Sequence, residues 1–349
     1  MSNQGGSRVR ALFIGFGNVG QKVAEILFLE REKYPKLRDL NLSIIGIVTK
    51  SRGSLVNIKG VDVVRAVKDI RDINRFSSLS PELVAISGVE AVRQLDYDVL
   101  VELSTLSIQQ RGEPAVSHVR EALMRGRHVV TANKAPAAFA YHELVELARE
   151  KGVKFLHEST VMDGTPVFSL AKEGLKGATV RSVSGVLNST TNFVLSRMEH
   201  GESLESAVKT AQKEGFAEAD PRHDLEGWDA AAKITVLANA LMGASLTPFD
   251  VDRQGITHVS VQDAQRAVQA GKNLKLICKG WREGETVRAR VKLEEVERGH
   301  AFAPIRESGS ILMIETDLLA PFVISETDPT LYDTAYGVIN DLLSVLDAS

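Results

Sequence analysis

The sequence is poor in several features that would each define a class of protein. Its 349 residues include one cysteine, Cys278, which excludes an intrachain disulfide and a zinc site built from cysteines. Lysine plus arginine (42) nearly balance aspartate plus glutamate (45), without the basic face that a nucleic-acid binder needs. No apolar run reaches the roughly 18 residues that cross a membrane, and the N-terminal "MSNQGGSR" has no apolar signal core. We therefore expect a soluble, cytoplasmic protein with a short flexible N-terminal lead.

What the chain does contain is an alternation of short apolar runs and amphipathic helical stretches between residues 9 and 160. This alternation predicts a doubly wound α/β fold of the Rossmann type, with a parallel sheet covered by helices on both faces. The predicted strands are "VRALFIG", "NLSIIGIV", "YDVLVELS", "RHVVTAN" and "VKFLHEST". The predicted helices between them include "GQKVAEILFLEREK", "EPAVSHVREALMRG" and "YHELVELAREKG".

The pattern changes near residue 165, where helices and strands mix as in an α+β domain. We expect helices near 165–175, 190–200, 203–215 and 226–242, and strands near 179–187, 273–281 and 286–293. The last two strands read as a hairpin around "REGE", and the final "TLYDTAYGVINDLLSVL" is expected to pack back across the first domain. The predicted divisions are a first domain over 1–145, a second over 146–325 and a returning segment over 326–349.

The segment "ALFIGFGNVGQKVAEIL" carries three glycines spaced G-x-G-x-x-G between a predicted strand and a predicted helix. There Gly15 permits a tight turn, Gly17 lets backbone amides approach a pyrophosphate, and Gly20 lets the helix pack closely on the strand. The helix N-terminus adds partial positive charge for the phosphates. The pattern indicates a dinucleotide site, and an ordinary strand-to-helix turn is the alternative. The predicted loop contacts are Gly15, Phe16, Gly17, Asn18, Val19 and Gly20.

The end of the second predicted strand bears on the choice of nicotinamide nucleotide. An NAD site usually has an Asp or Glu there to hold the ribose hydroxyls. This chain instead reads "GIVTKSRGS", where the charged residues are Lys50 and Arg52. Two cations suit a 2′-phosphate, so the sequence favours NADP and leaves NAD as the alternative. Simple solvation of both cations on a surface loop also stays open.

One lysine stands in a run that otherwise reads as buried helix. From Ala230 to Gly243 the only charged residue is Lys233, and Asp229 lies four residues before it, on the same helix face. As a surface ion pair the two would contribute only about 0.3–0.5 kcal/mol. The apolar neighbours favour burial instead, and a buried lysine that is paired with carboxylates indicates proton chemistry or an anionic ligand. The carboxylates shortly before the lysine are Glu218, Asp220, Asp224 and Asp229.

Two further clusters indicate ligand contacts. In "GVLNSTTNFVLSRM", polar residues 188–192, Thr190 among them, stand between a strand and a helix and exceed what N-capping requires. In "VVTANKAP", Lys134 follows a predicted parallel strand at its carboxyl end, where ligands of open α/β sheets bind. Capping for the first cluster and mere exposure for the second remain alternatives.

Taken together, these residues resemble homoserine dehydrogenase over about residues 8–345. The most specific stretches are "GVLNSTTNFVLSRM" and "AQKEGFAEADPRHDLEGWDAAAKITVLA", supported by "GFGNVG", "TANKAP" and "STVMDGTP". The resemblance is to the short form of the enzyme, without an aspartate kinase or a regulatory domain. It implies NADP- or NAD-dependent interconversion of L-aspartate 4-semialdehyde and L-homoserine, in threonine and methionine biosynthesis. It also implies a homodimer whose second domain binds the substrate and forms the dimer interface.

The resemblance implies roles for individual residues. Lys233 would be the acid/base group, with Asp229 beside it at the reacting oxygen. The implied substrate contacts are Glu218, Asp224, Thr190 and Lys134. The implied contacts near the nicotinamide are Ser104, in "VELSTLS", and Lys134. A monovalent cation is also implied, on a loop that binds it mostly through backbone carbonyls at Glu158, Val161 and Asp163.

The chain departs from the family pattern before its last predicted helix. The family has a glycine-rich segment there, whereas this chain reads "FVISETDPTLYDTAYGV". "NSTTN" stands for the usual "NGTTN", and Asp163 alters the cation loop. Two other functions therefore stay open: a related oxidoreductase that acts on another small amino-acid aldehyde or hydroxy amino acid, and an NADP-binding sensor without turnover.

Overall fold

The fold is described by a computed structural model, which describes residues 8–346. Except for Arg8, the predicted N-terminal lead lies outside these residues, and so do residues 347–349 of the predicted C-terminal segment. The chain forms two compact units. Within the described range, the first unit comprises the chain up to Pro136, Ala140–Gly164 and the chain from Leu331, and the second comprises Ala137–Phe139 and Thr165–Thr330.

The first unit is built on a seven-stranded sheet. Its strands are β1 (Val9–Ile14), β2 (Leu42–Val48), β3 (Ser54–Val56), β4 (Leu83–Val84), β5 (Val99–Glu102), β6 (His128–Thr131) and β7 (Phe155–Leu156). They lie in the order β4-β3-β2-β1-β5-β6-β7. The five predicted strands are confirmed as the parallel part of this sheet, and β3 and β4 add an antiparallel edge that the sequence did not predict. The chain order changes direction at β1 and β5, the switch point at which such sheets bind ligands.

Helices cover both faces of this sheet, as predicted. They are α1 (Asn18–Ala24), α2 (Val63–Ile73), α3 (Gly88–Gln94), α4 (Ala115–Met124), α5 (Lys134–Phe139) and α6 (Tyr141–Lys151). Successive residues of β1 enter two separate cores because side chains alternate along a strand. Ala11 and Phe13 pack with α1 and α2, whereas Leu12 and Ile14 pack with α3, α4 and α6.

The second unit is an α+β domain around a six-stranded sheet in the order β13-β12-β8-β10-β11-β9. Its elements are α7 (Val167–Gly174), β8 (Val180–Val186), α8 (Ser189–Glu199), α9 (Leu204–Glu214), α10 (Arg222–Leu225), α11 (Trp228–Met242), β9 (Asp252–Arg253), α12 (Val261–Gln269), β10 (Lys272–Glu283), β11 (Thr286–Glu297), β12 (Ser310–Thr316) and β13 (Phe322–Glu326). The predicted hairpin is confirmed, with Glu283 opposite Thr286. Helix α11 packs on β10 at Gly280, where Ile234 and Ala238 lie 3.6 and 3.7 Å from the position that a Cβ would take.

The C-terminal helix α13 (Leu331–Leu346) belongs to the first unit. Its buried residues join the core that α1 and α2 form with the sheet. Two glycines bring it against the loop that follows β7: a Cβ on Gly164 would lie 2.2 Å from the Asp333 carbonyl oxygen and 2.9 Å from the Gly337 nitrogen. Any larger residue at 164 would therefore push the helix away.

Some predicted bounds differ from the structure. The boundary expected at 145/146 falls inside α6, whereas the first unit continues to Gly164 because β7 extends the parallel sheet. The boundary expected at 325/326 precedes the division at Thr330 because β13 pairs with β12. The helix expected over 20–33 ends at Ala24 and continues as a π-helical turn, Glu25–Leu29, in which Ile26 and Leu27 stay buried.

In the part of the chain that the structure describes, no helix is long and apolar enough to cross a membrane.

Candidate active site

The glycine loop joins β1 to α1 at the carboxyl edge of the parallel strands. Gly15 has φ +95°, and a Cβ there would lie 2.5 Å from the Leu103 carbonyl carbon and 2.7 Å from the Ser104 nitrogen, so only glycine fits. A Cβ on Gly20 would lie 3.1 Å from the Gly15 oxygen, which accounts for the close approach of helix and strand. Gly17 has no described heavy atom within 4 Å of its Cβ position, which leaves its backbone open to a ligand.

The start of α1 is suited to a phosphate. Gly17 is its N-cap, and within residues 8–346 no side chain caps this helix end, so the amides of the first turn can donate to a pyrophosphate. Phe16 is buried and packs against Phe76 with ring centroids 6.0 Å apart, which fixes the loop backbone. Asn18 and Val19 open the helix beside it. The loop therefore has the shape and the donors that the sequence predicted for a dinucleotide.

Arg52 lies against this loop although it is 36 residues away in the chain. Its Nη1 donates to the Phe16 carbonyl at 3.0 Å. A tight turn after β2 aims it there: the Arg52 amide donates to Thr49 Oγ1 at 2.9 Å, and that hydroxyl donates to the Gly53 carbonyl at 2.7 Å. Lys50 is exposed on the same turn. The two predicted cations are therefore at the end of β2, and one of them touches the glycine loop.

The predicted nicotinamide contacts also lie at this edge of the sheet. Ser104 follows β5 and borders Gly15 through its backbone. Lys134 is the first residue of α5, and Asn133 caps that helix by accepting from the Ala135 amide at 2.9 Å. Asn133 Nδ2 donates to Ser104 Oγ at 3.3 Å, which ties the ends of β5 and β6 together.

In the second unit, Lys233 is held at two points. Its Nζ lies 3.2 Å from Asp229 Oδ2, one helical turn earlier, and donates to the Leu187 carbonyl at 2.6 Å. Both charged side chains are only 15% exposed, so this is a mostly buried pair and not a solvated surface one. The carbonyl belongs to the residue after β8, so a strand end and helix α11 together fix the ammonium.

Asn188 connects this pair to a second carboxylate. Its Nδ2 donates to Asp224 Oδ1 at 2.7 Å and to Asp229 Oδ2 at 2.9 Å, while its Oδ1 caps α8 by accepting from the Thr191 amide at 2.8 Å. Burial and the neighbouring Asp229 raise the pKa of Asp224, and hydrogen bonding and Lys233 only partly oppose that shift. One amide thus holds two acids beside each other.

Thr190 completes the cluster from the first turn of α8. Its hydroxyl lies 3.1 Å from Asp224 Oδ2 and donates to the Phe216 carbonyl at 2.8 Å. The polar segment 188–192 therefore does more than cap a helix, since two of its residues bind a carboxylate from another element. We define the ammonium cluster as Lys233, Asp229, Asn188, Asp224 and Thr190.

Two of the four carboxylates that the sequence placed near Lys233 lie elsewhere. Asp220 is exposed and pairs with Arg222. Glu218 is exposed on the loop before α10, and its backbone oxygen accepts from Gln212 Nε2 at 3.1 Å. The structure thus brings Asp224 and Asp229 together at the lysine but not the side chain of Glu218, whose role stays a prediction.

The predicted cation loop lies against α13. Glu158 and Val161 are buried, and Met162 and Asp163 both have positive φ, 56° and 50°, so the chain turns tightly here. The Asp163 carboxylate accepts from the Thr334 hydroxyl at 2.6 Å. Within residues 8–346 no group of three or more His, Cys, Asp or Glu side chains could hold a metal, so any cation here would depend on backbone carbonyls, as the resemblance implies.

The first unit thus carries a dinucleotide loop, and the second carries a buried ammonium beside two carboxylates. A dinucleotide site and an acid/base group in one chain define the class of NAD(P)-dependent oxidoreductases. The family model described as "Homoserine dehydrogenase" matches residues 166–343, and "Homoserine dehydrogenase, NAD binding domain" matches residues 15–158. The chain belongs to the homoserine dehydrogenase family.

Individual relatives match along nearly their whole length. The homoserine dehydrogenase of Methanocaldococcus jannaschii is 32% identical over 341 residues, covering 97% of this chain and 98% of the relative. An NAD(+)-dependent homoserine dehydrogenase of Pseudomonas canavaninivorans is 33% identical, covering 95% and 94%. A solved structure of a hyperthermophilic archaeal homoserine dehydrogenase in complex with NADPH has a TM-score of 0.82 at 26% identity and covers 98% of both chains.

One member of the ammonium cluster, Asn188, and one backbone contact to it, the Leu187 carbonyl, were not predicted as site residues. Asn188 was visible only as one polar residue among five, and nothing in the spacing indicates that its amide bridges Asp224 and Asp229. The Leu187 carbonyl has no sequence signal at all, because any residue supplies a backbone oxygen. A strand that ends directly before a polar helix start is the pattern that could have indicated both.

The raised pKa of Asp224 predicts a pH-dependent effect on stability. The unfolded chain ionises this carboxyl near its ordinary pKa of 3.8, while the folded chain keeps the proton to higher pH, so the parent protein loses stability as pH rises through that window. We expect Asp224→Asn to gain melting temperature relative to the parent between about pH 4 and about pH 7. Thermal unfolding followed by circular dichroism at both pH values measures this difference.

Asp220→Asn is the matched control. Arg222 lowers the pKa of exposed Asp220 to about 2, so its stabilising contribution is lost only as pH falls below about 4. The melting-temperature difference between Asp220→Asn and the parent should therefore stay nearly constant between about pH 4 and about pH 7. A melting-temperature difference for Asp224→Asn that does not change with pH would contradict the assignment of a strained, buried acid.

Proposed function

We propose that the chain interconverts L-aspartate 4-semialdehyde and L-homoserine, with NADPH as the reductant in the forward direction. The observation that carries this proposal is the buried Lys233–Asp229 pair, 3.2 Å apart, beside a second carboxylate. Membership of the homoserine dehydrogenase family supports the substrate assignment. A buried ammonium at a carboxylate pair suits a substrate that carries both an oxygen to be protonated and an amino group.

Lys233 acts on the reacting oxygen in this proposal. When bound, the nicotinamide supplies the hydride that reduces the aldehyde carbon. The Lys233 ammonium donates a proton to the oxygen as negative charge develops on it, and takes the proton back in the reverse direction. Asp229 and the Leu187 carbonyl keep the ammonium in one position, which removes the cost of orienting it during the reaction.

Asp224 and Thr190 are proposed to receive the amino end of the substrate. The pKa of Asp224 is raised because burial and Asp229 disfavour its charge, so a cationic amino group beside it would restore the ionised form. Glu218 and Lys134 stay in the proposal as further substrate contacts, the first on the loop before α10 and the second at the start of α5. The exposed position of Glu218 suits a group that meets the substrate as it enters.

We further propose a cytoplasmic homodimer and a monovalent cation at Glu158, Val161 and Asp163. Light scattering of the purified protein measures its molar mass and so tests the homodimer. Assays in which choline replaces potassium and sodium test the cation, because an enzyme that depends on a bound monovalent cation would lose activity in choline.

The test of the proposal is an assay of the purified protein with aspartate 4-semialdehyde, following nicotinamide absorbance with NADPH and NADH in parallel. We expect turnover in the ordinary range for enzymes, about 1–10³ per second. Intact NADPH binding without turnover on this aldehyde would contradict the proposed substrate. Turnover on a different amino-acid aldehyde would then favour a related oxidoreductase, and binding without any turnover would favour a sensor.

Lys233→Ala tests the acid/base role. We expect kcat to fall by about 10²–10⁴-fold, the usual contribution of a positioned proton donor. Lys209→Ala is the matched control: Lys209 also pairs with a carboxylate one helical turn earlier, Glu205 at 2.7 Å, but on an exposed surface. Its kcat should stay within twofold of the parent. A loss below about tenfold in kcat/KM for Lys233→Ala would leave this lysine a structural role.

Arg52→Ala tests the preference for NADP. Because Arg52 is held at the glycine loop, we expect its loss to raise KM for NADPH about tenfold or more and to leave KM for NADH nearly unchanged. Lys59→Ala, which changes an exposed lysine between β3 and α2, should leave both KM values unchanged. An unchanged NADPH-to-NADH ratio in Arg52→Ala would exclude a 2′-phosphate contact.

A further inference from the structure

A fully buried acid stands at the carboxyl end of the central parallel strands. Glu102 is the last residue of β5, is 0% exposed, and lies opposite Ile14 of β1 and Thr131 of β6. It therefore sits at the switch point of the sheet, beneath the edge that carries the glycine loop. Neither the resemblance nor the proposed mechanism gives this residue a role.

The two carboxylate oxygens of Glu102 have unequal surroundings. Oε1 accepts from the Ser104 hydroxyl and lies 3.4 Å from the Ser104 amide nitrogen and 3.5 Å from Nδ1 of buried His118. Oε2 has no hydrogen-bond partner among the described residues. A buried acceptor without a partner is destabilising, so the fold alone gives no reason to keep a glutamate here.

The effect of Glu102 is on the hydroxyl of Ser104. A hydroxyl has one proton, and the Ser104 proton is committed to Oε1. Asn133 Nδ2 donates to the same Ser104 oxygen, and its amide is oriented by the Ala135 nitrogen, which donates to Oδ1. Toward any further group, Ser104 Oγ can therefore act only as an acceptor.

We propose that Glu102 is a positioning residue that holds Ser104 as an acceptor for the carboxamide NH₂ of the nicotinamide. This inference rests on the proposed function, because it assumes a nicotinamide nucleotide on the glycine loop. Ser104 is suitably located, since its backbone nitrogen lies 2.7 Å from the Cβ position of Gly15. By holding Ser104 as an acceptor, Glu102 favours the carboxamide NH₂ over the carboxamide oxygen at this position, and so favours one orientation of the nicotinamide ring.

Glu102→Gln tests the proposal because it keeps the shape of the side chain and reverses the polarity. A glutamine amide that donates to Ser104 frees the serine proton to point toward the ligand, where it opposes another donor. We expect Kd for NADPH to rise about tenfold, the value of one or two hydrogen bonds, and Kd for 2′-phospho-ADP-ribose, which lacks the nicotinamide, to stay within twofold. Isothermal titration calorimetry without substrate gives both values.

Glu121→Gln is the matched control. It makes the same chemical change on α4, where Glu121 pairs with Arg93 and not with Ser104, and both Kd values should stay at the parent level. Ser104→Ala gives a second route if Glu102→Gln folds poorly, because it leaves Glu102 in place: it should weaken binding of NADPH alone, and unchanged binding of NADPH would overturn the proposal.

The outcomes separate this inference from the proposed function. If Glu102→Gln weakens both ligands equally, or neither, Glu102 has no positioning role, whatever the parent does with aspartate 4-semialdehyde. If the ligand-specific loss occurs but the parent turns over no semialdehyde, the proposed substrate is wrong and the positioning role stands. A parent that binds neither NADPH nor NADH would overturn both.

Discussion

The ion pair of Lys233 with Asp229, and the Asn188 amide that holds Asp229 next to Asp224, organise the site in the second unit. Two carboxylates repel each other in a buried setting, and each would shift toward its neutral form. The amide protons of Asn188 and the ammonium of Lys233 partly offset this repulsion. Loss of Lys233 would leave the mostly buried Asp229 without its opposite charge, which is the costly change in such a cluster.

The surroundings of the cluster explain how the chain tolerates it. Helix α11 is apolar and buried beyond its first turn, and it packs on β10 where Gly280 allows close approach. Burial of this helix gives the second unit a core that does not depend on the charged residues. The first unit is arranged in the same way: apolar strands form two cores, and the polar groups gather at the carboxyl edge of the sheet. In both units, polar groups of the candidate site lie where strands end: Ser104 follows β5, and Asn188 follows β8.

The sequence predicted the parts of this protein that local pattern determines. The five parallel strands follow from runs of apolar residues, and the glycine loop follows from a spacing that has a steric cause at Gly15. Lys233 was predicted because one charge in an apolar helix is conspicuous. Contacts between distant segments were not predicted. Arg52 donates to Phe16, 36 residues before it in the chain, and Asn188 donates to Asp224, 36 residues after it. The hairpin of β12 and β13 was also missed, because its edge strand is half-exposed and carries a weak apolar pattern.

Burial alone does not make a lysine an acid/base group, and the second unit contains the comparison. Lys275 on β10 is fully buried, yet its Nζ donates to Asn192 Oδ1 at 2.8 Å and to the Ile305 carbonyl, both neutral acceptors. Burial lowers its pKa to about 8. Lys233 differs because the Asp229 carboxylate lies 3.2 Å from its Nζ, which suits the acid/base role proposed for this lysine. The informative signal in the sequence is therefore the acid four residues before the lysine, since an apolar run by itself is compatible with either role.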